Sequence, residues 1–336
     1  MNGPSQPGSE LPSRDPQQDT PQRAVPTSFN VAEPTAAEPT AAENCYSWES
    51  EAYALLDFGR GRKLERIGGR VLDRVCPAAE SYAQRPDCDW SQAHLRLDAA
   101  GCITADQLTT ERAPSTVWQC RWGPIVFNLK LTPFGHVGLF PEQASNWNWL
   151  IQVARHMLAS RGQPIRALNL FAYTGGSTLA LASAGVHVVH VDASAPAVKW
   201  GQRNAASSGL NEHPIRWIVD DARKFVQREL RRGNRFDLLV LDPPSYGHGT
   251  KGQRWSIETD LQPLLDDCLQ LLHSSSAALL LTAHSVFPTA EQIVSWIEGN
   301  SSLHCQHERL NLTSPQCKVL DAGFYIRGLE PASANL

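Results

Sequence analysis

The sequence predicts a doubly wound α/β domain over its C-terminal half, preceded by a small β-rich (α+β) domain and an unordered N-terminal tail. Three observations carry that expectation. From Trp147 onward, short apolar runs alternate with longer amphipathic stretches. Before that, β-branched and aromatic residues alternate between Gly, Pro and charged turns. Residues 1–44 combine Pro, Ser, Thr, Gln and Ala with the duplication AEPTAAEPTAAE. Such a segment has too little apolar surface to offset its ordering entropy. The expected boundaries are therefore a tail over 1–44, a β-rich domain over 45–135 and an α/β domain over 136–336.

In the β-rich part, YALLDFGRGRKLERIGGRVLDRVCP and VWQCRWGPIVFNLKLTPFGHVGLF read as strands and hairpins, with room for one helix. WNWLIQVARHML then has helical spacing, IRALNLF reads as a buried strand, and TLALASAG as a helix closed by Gly185. VHVVHVD, IRWIVDD, FDLLVLDPP and AALLLTAHS are further strands. SAPAVKWGQRNAASSGL, ARKFVQRELRR and LQPLLDDCLQLL are helices between them. Strand–helix alternation of this kind means right-handed βαβ units and a mainly parallel sheet. Beyond Ser285 the element signals are weak. Ligands of such sheets lie beyond the carboxyl ends of the strands, where the motifs below all fall.

Bulk properties exclude several classes. Hydrophobic residues at 42% and charged residues at 19% suit a soluble globular chain with a large core. No apolar run approaches the ~20 residues of a membrane span. The start, MNGPSQPGSE, lacks the basic and apolar stretches of an export signal, so a cytoplasmic location is expected. The eight cysteines form no CxxC pair, which removes zinc-ribbon and thioredoxin readings, and no metal is expected. A net charge of −4 argues against wholesale capture of nucleic acid but leaves room for a local basic face.

The first chemical signal is the turn Phe171-Ala172-Tyr173-Thr174-Gly175-Gly176 after the strand ALNLF. Glycine lets backbone approach a ligand closely, and the following helix presents free N–H groups to an anion. An ordinary strand-to-helix turn fits equally well on this evidence alone. The second is Asp192, which ends VHVVHVD about 20 residues on and can accept from both ribose hydroxyls of an adenosine ligand. Ala193 and Ser194 follow it on the same rim, and either Asp192 or Ser194 can cap the next helix. The third is Asp220-Asp221-Ala222, where one acid can cap a helix while the other accepts from the adenine amine; Asp221 is favoured for adenine. The turn reads AYTGGST rather than GxGxxG, which counts against a nicotinamide dehydrogenase.

The acceptor signal is Asp242-Pro243-Pro244-Ser245-Tyr246 at the end of an apolar strand. Two prolines cannot continue a sheet ladder, so the chain leaves as a stiff loop. Tyr246 can stack on a flat acceptor, and Asp242 can position or deprotonate the nucleophile. A purely structural double-proline turn is the plain alternative.

Together, the glycine turn, Asp192, Asp221 and DPPSY resemble motifs I to IV of class I S-adenosylmethionine (SAM)-dependent methyltransferases. FNLKLTPFGHVGLFPEQASNW, LNLFAYTGGSTLA, VHVDASAPAVKW, IRWIVDDARKFVQRELRRGNRFD, LDPPSYGHGTKGQRW and LLDFGRGRKLERIGGRVLDRVCP resemble one branch in particular. That branch is the 23S rRNA cytosine-C5 methyltransferases. The resemblance covers residues 46 to about 285. It implies a Rossmann-like catalytic domain, a β-rich substrate domain, SAM as methyl donor and RNA, above all rRNA, as substrate. It also implies that Phe140 and Gln143 of GLFPEQ line the cofactor pocket.

The chain departs from the branch in two places. Members carry an RNA-binding PUA domain ahead of the β-rich domain, where this chain has its tail. Cytosine-C5 transfer also needs a thiolate to attack C6. In the branch that cysteine follows the strand after the DPP loop; here the strand ends Leu281-Thr282-Ala283-His284-Ser285. Cys268 reads as helix core and Cys317 lies in the weakly patterned C-terminal segment. The loop also resembles that of amino-methyltransferases, which need only an in-line arrangement.

Basic residues gather at Arg60, Arg62, Lys63, Arg66, Arg70 and Arg74, at Arg223–Arg235, and at Lys251 and Arg254. They suit RNA phosphates or simply solvated faces. His248 and His284 are secondary acceptor-side candidates, while Glu142, Trp147 and Trp149 suit packing equally well. SAM-dependent methylation of a small molecule or protein, and a catalytically lapsed SAM- or RNA-binding protein, are the competing readings.

Overall fold

The computed structural model describes residues 45–98, 100, 102, 117–132, 135–248, 254–273 and 277–331. The expected tail over 1–44, Lys251 and the side chain of His248 lie outside the described residues. Strands β1 (Tyr53–Gly59), β2 (Arg62–Ile67) and β3 (Arg70–Val75) form an antiparallel meander, and β4 (Leu95–Arg96) pairs parallel with β3. Gly68-Gly69 joins β2 to β3 with both φ angles positive, 57° and 74°, the turn geometry that matches strand twist. A Cβ on Gly68 would also lie 2.2 Å from the Gln119 carbonyl oxygen. β5 (Val117–Trp122) and β6 (Ile125–Lys130) make a separate hairpin whose Trp118, Cys120 and Trp122 turn inward. Among the described residues this part holds no α-helix, only 3-10 turns at Pro77–Ala79 and Trp90–Gln92.

Most of the basic cluster on the meander serves the fold. Fully buried Glu65 receives Arg74 Nε at 3.0 Å, Lys63 Nζ at 3.0 Å and the Tyr53 hydroxyl at 3.1 Å. Buried Asp73 receives Arg62 and Arg96. Cross-strand neighbours on a pleated sheet bring these partners together, which a linear count of arginines does not show. Burial alone would raise the Glu65 carboxyl, but Arg74 and Lys63 outweigh it and hold it at about 2. Its stabilisation is therefore complete above the ordinary value of 4.5 and is lost as pH falls from there toward 2. Glu65→Ala, which strands two cations, should cost about 3–5 kcal/mol in a urea titration at neutral pH. The deficit relative to the parent should narrow below pH 4.

The C-terminal half alternates as expected. Helix α1 (Ala144–Arg161) leads into β7 (Arg166–Leu170), α2 (Gly176–Ser183), β8 (His187–Asp192), α3 (Ala195–Ser207) and β9 (Ile215–Val219). Helix α4 (Ala222–Arg231), β10 (Leu238–Leu241), the small hairpin β11 (Tyr246–His248) and β12 (Arg254–Ser256), α5 (Ile257–Leu271) and β13 (Ala278–Ala283) follow. The weakly patterned end forms α6 (Ala290–Asn300), β14 (His304–Thr313) and β15 (Val319–Leu329). β14 is an edge strand with mostly exposed side chains, so its sequence lacks a strong apolar period.

The seven strands order as β14-β15-β13-β10-β7-β8-β9. β15 runs antiparallel to β13 and to β14, while the other five are parallel. β10 and β13 are buried along their whole length, as central parallel strands must be. The strand order reverses between β7 and β10, which opens a crevice at their carboxyl ends. On the other side of α1, Trp147 packs edge-on to Trp122 at 5.1 Å and stacks on Phe127 at 5.3 Å. Trp147 is thus a packing residue that joins the hairpin β5–β6 to the α/β half. No helix among the described residues is long and apolar enough to cross a membrane.

Candidate functional site

The loop after β7 is held in an unusual backbone shape. Phe171, Tyr173 and Gly175 all have positive φ, at 55°, 48° and 89°. Aromatic residues resist that region, so surrounding contacts must hold them there. Asp192 supplies one, since its Oδ2 accepts the Tyr173 amide at 2.8 Å. Thr174 adds two more, donating to the Gly138 carbonyl at 2.9 Å and accepting Asn204 at 3.0 Å on its own carbonyl. Asp192 Oδ1 accepts the Ser194 amide at 2.8 Å, and Ser194, not Asp192, caps α3. Each Asp192 oxygen thus carries one backbone bond and keeps a second acceptor direction. Burial raises this carboxyl above its ordinary value, against the two amides that pull it down.

At the end of β9 the two acids have different partners. Asp221 caps α4 by accepting the Lys224 amide at 3.2 Å, and its other oxygen stands 3.6 Å from Arg223. Asp220 accepts the Asp221 amide at 2.9 Å and pairs with Arg228 at 2.7 Å. Ala222 is the first residue of α4, where an amide has no partner within the helix. Arg223, Arg228 and Arg232 all pair with nearby acids, Arg223 with Asp260 at 2.7 Å and Arg232 with Glu229 at 2.9 Å. These three serve the helix, while Lys224, Arg231 and Arg235 of the same run are exposed.

β10 ends at Leu241, and Asp242-Pro243-Pro244 leaves the sheet there. Trp255 fastens the loop, donating from Nε1 to the Pro244 carbonyl at 2.7 Å while its ring packs on Phe171 at 4.8 Å. β13 runs beside β10, so Thr282 reaches Asp242 and donates to its Oδ1. Burial raises the Asp242 carboxyl, while Thr282 and His284 pull it back without cancelling the rise.

These elements enclose a cavity of about 550 Å³. Its wall brings together Phe140, Gln143, Phe171, Tyr173, Asp192, Ala193, Ser194, Asp220, Asp221, Ala222, Asp242, Pro243 and Pro244. Thr174, Gly175 and Gly176 line a smaller adjoining space of about 40 Å³ that also touches Asp242. Tyr246 does not join the wall and is 71% exposed, because the β11–β12 hairpin turns it outward. His284, a secondary candidate, does line the cavity, as do His136, Arg223 and Trp255. His136 and Trp255 carry no local motif and arrive only by folding. Burial, with Arg74 and Lys63 nearby, lowers the His136 imidazole below its ordinary value, so it is neutral near pH 7. Burial and Asp192 push the Tyr173 phenol up to about 12. Among the described residues no group of His, Cys, Asp or Glu is placed to hold a metal ion.

A cavity with strand-end carboxylates, aromatic walls and free helix-start amides suits an adenosine cofactor. The crystal structure of the SAM-dependent methyltransferase of Agrobacterium tumefaciens superposes with a TM-score of 0.75. It shares 32% identity, with 83% of this chain and 90% of that one covered. This chain belongs to the SAM-dependent methyltransferases. Residues 149–267 also match the family model described as conserved hypothetical protein 95.

Other relatives of this methyltransferase are named ribosomal RNA large subunit methyltransferases. The K/L protein of Cellvibrio japonicus is 26% identical over 170 residues, covering 50% of this chain and 20% of its own length. The K protein of Neisseria meningitidis is 34% identical over 111 residues, covering 32% and 31%. The chain thus spans less than a third of the length of these curated relatives. SAM fits the residues present: two carboxylate oxygens with open acceptor directions on Asp192, a helix-start amide at Ala222 with no partner inside α4, and the aromatic wall residues Phe171, Tyr173 and Trp255.

Proposed function

We propose that this methyltransferase modifies a base of ribosomal RNA at a nitrogen atom. The observation that carries the reading is the single cavity in which the adenosine-side acids Asp192, Asp220 and Asp221 meet Asp242-Pro243-Pro244. In it, Asp192 holds the ribose hydroxyls, Asp221 and the Ala222 amide hold the adenine edge, and Phe140 with the glycine turn closes around the methionine portion. Bound SAM supplies an electrophilic methyl group on a sulfonium. The Asp242 carboxylate accepts an N–H of the acceptor and takes up the proton released there, with Pro243 and Pro244 keeping the loop stiff against a flat ring.

A base as acceptor is supported by the rim. Tyr246 follows β10, and Val286 and Phe287, 94% and 50% exposed, follow the neighbouring strand β13. Exposed apolar groups on adjacent strand ends suit stacking on unpaired bases. Exposed Arg254 stands on the same hairpin as Tyr246, where it suits a phosphate. Arg74 of the β-rich part donates to the Gly135 carbonyl at 2.8 Å, next to His136 in the wall. The names of the rRNA relatives support ribosomal RNA in particular, and a cytoplasmic reaction is consistent with that substrate.

Nitrogen is favoured over cytosine C5 because His284-Ser285 rather than a cysteine follows β13, and among the described residues no cysteine lines the cavity. Cys268 is buried in α5, and burial pushes its thiol up, away from thiolate formation. Mass spectrometry of rRNA nucleosides from a strain lacking the gene tests the reading. One N-methylated nucleoside should vanish and return with the parent gene but not with Asp242→Ala. An unchanged inventory would sink the rRNA substrate, and loss of 5-methylcytidine would restore the C5 chemistry.

A further inference from the structure

Behind the cavity wall runs a continuous line of buried polar side chains. Arg327 on β15 donates to Asn146 Oδ1 from Nε at 3.2 Å and from an Nη at 2.9 Å. Asn146 Nδ2 donates to Gln143 Oε1 at 2.9 Å, and Gln143 Nε2 donates to Thr282 Oγ1 at 3.3 Å. Thr282 then donates to Asp242 Oδ1. Asn146, Gln143 and Thr282 are all less than a tenth exposed. The two ends dictate the direction. A guanidinium only donates, so Asn146 must turn its oxygen to Arg327 and its amide to Gln143. The same choice passes to Gln143, whose amide donates to Thr282, and the Thr282 hydroxyl hydrogen is directed at the carboxylate.

We infer that Arg327, Asn146, Gln143 and Thr282 form a one-way donor relay that holds Asp242 as a hydrogen-bond acceptor facing the cavity. They are positioning residues. The relay ties Asp242 Oδ1 back into the wall, so Oδ2 is the oxygen left for the acceptor. It also gives the antiparallel strand β15 a task at the site, although β15 contributes nothing to the wall itself. Gln143, which the resemblance assigns to the cofactor, has both ends of its amide engaged in the relay. Buried charge-assisted hydrogen bonds of this kind are worth about twice neutral ones, and a chain of them is polarised along its length.

Of the titratable and charged groups, His284 at the end of β13 acts on the Asp242 carboxyl, and His136, Tyr173, Asp192, Asp220, Asp221 and Arg223 share the cavity with it. None of these is altered in the variants below, so a change in Asp242 reports on the relay. Thr282→Val keeps side-chain shape and removes the hydroxyl; Thr282→Ser restores it. Arg327→Met removes the cation at the far end, on a half-buried position where folding is less at risk.

The test follows the carboxylic-acid infrared band that disappears in Asp242→Asn, titrated with pH in the full chain. Its midpoint should rise by about one pH unit in Thr282→Val, stay at the parent value in Thr282→Ser, and rise by a smaller amount in Arg327→Met. An unmoved midpoint in Thr282→Val would overturn the relay, and one that moves there but not in Arg327→Met would cut it back to a single contact. The catalytic consequence rests on the nitrogen-methylation reading. With rRNA from the deletion strain as substrate, Thr282→Val should lower kcat roughly tenfold while the calorimetric Kd for SAM stays at the parent value. Should the parent enzyme transfer nothing to that RNA, the substrate reading fails, whereas the infrared titration still decides the relay.

Discussion

Replacing Asp242 by Ala is expected to cut methyl transfer by roughly 10²–10⁴-fold, the range spanned by loss of a positioned acid–base group. The affinity for SAM should stay close to the parent's. In the proposed arrangement the ribose and adenine fall to Asp192 and Asp221, on β8 and at the start of α4, and Asp242 takes neither. The loss should therefore fall on kcat, with the KM for SAM little changed. Asp242→Asn is the sharper variant, because it keeps the volume and the Thr282 contact but turns one acceptor into a donor. It should be nearly as inactive as the alanine variant. Single-turnover rates with the rRNA substrate, beside equilibrium dialysis of SAM, separate the two effects. Parent-like turnover in either variant would remove Asp242 from the mechanism.

Asp192→Ala should do the opposite, weakening SAM by about 10²-fold or more while transfer at saturating cofactor recovers much of the parent rate. Two charge-assisted hydrogen bonds to ribose hydroxyls, each worth about 1.5–3 kcal/mol, set that scale. The same carboxylate holds the Tyr173 and Ser194 amides, so the substitution also loosens the strained turn that faces the cofactor. Because burial raises the Asp192 carboxyl, SAM binding should weaken as pH falls through that raised value, earlier than for an exposed carboxylate. Calorimetric titration of SAM across pH checks the sign. Affinity that is flat with pH down to the ordinary carboxylate range would remove Asp192 as the ribose ligand.

Much of the site is legible locally because each strand end carries its functional group within a few residues of the sheet. The glycine turn, Asp192, Asp220-Asp221 and Asp242-Pro243-Pro244 all close runs of apolar residues, and the parallel sheet aligns those ends. Tyr246 illustrates the limit. Its type and spacing suit stacking inside the pocket, yet the hairpin β11–β12 directs it to the outer rim. The arginines of β2, β3 and α4 illustrate another: read as a row they suggest an open basic face, but buried Glu65 and Asp73, and Asp220 and Asp260 beside α4, claim most of them.

The amino-acid order by itself determined the alternation of strands and helices, the side of the sheet on which a ligand sits and the acids that line it. These follow from period, turn chemistry and the helix-start amides, all of which act over a few residues. Tertiary structure alone decided what those acids do. Asn146 meets Arg327 across 181 residues and Gln143 meets Thr282 across 139. Trp255 locks Pro244, and His136 enters the wall from the segment that precedes α1 in the chain. Orientation and proton affinity of a buried carboxyl depend on every polar atom within hydrogen-bonding reach, and only a closed core brings together atoms so distant along the chain.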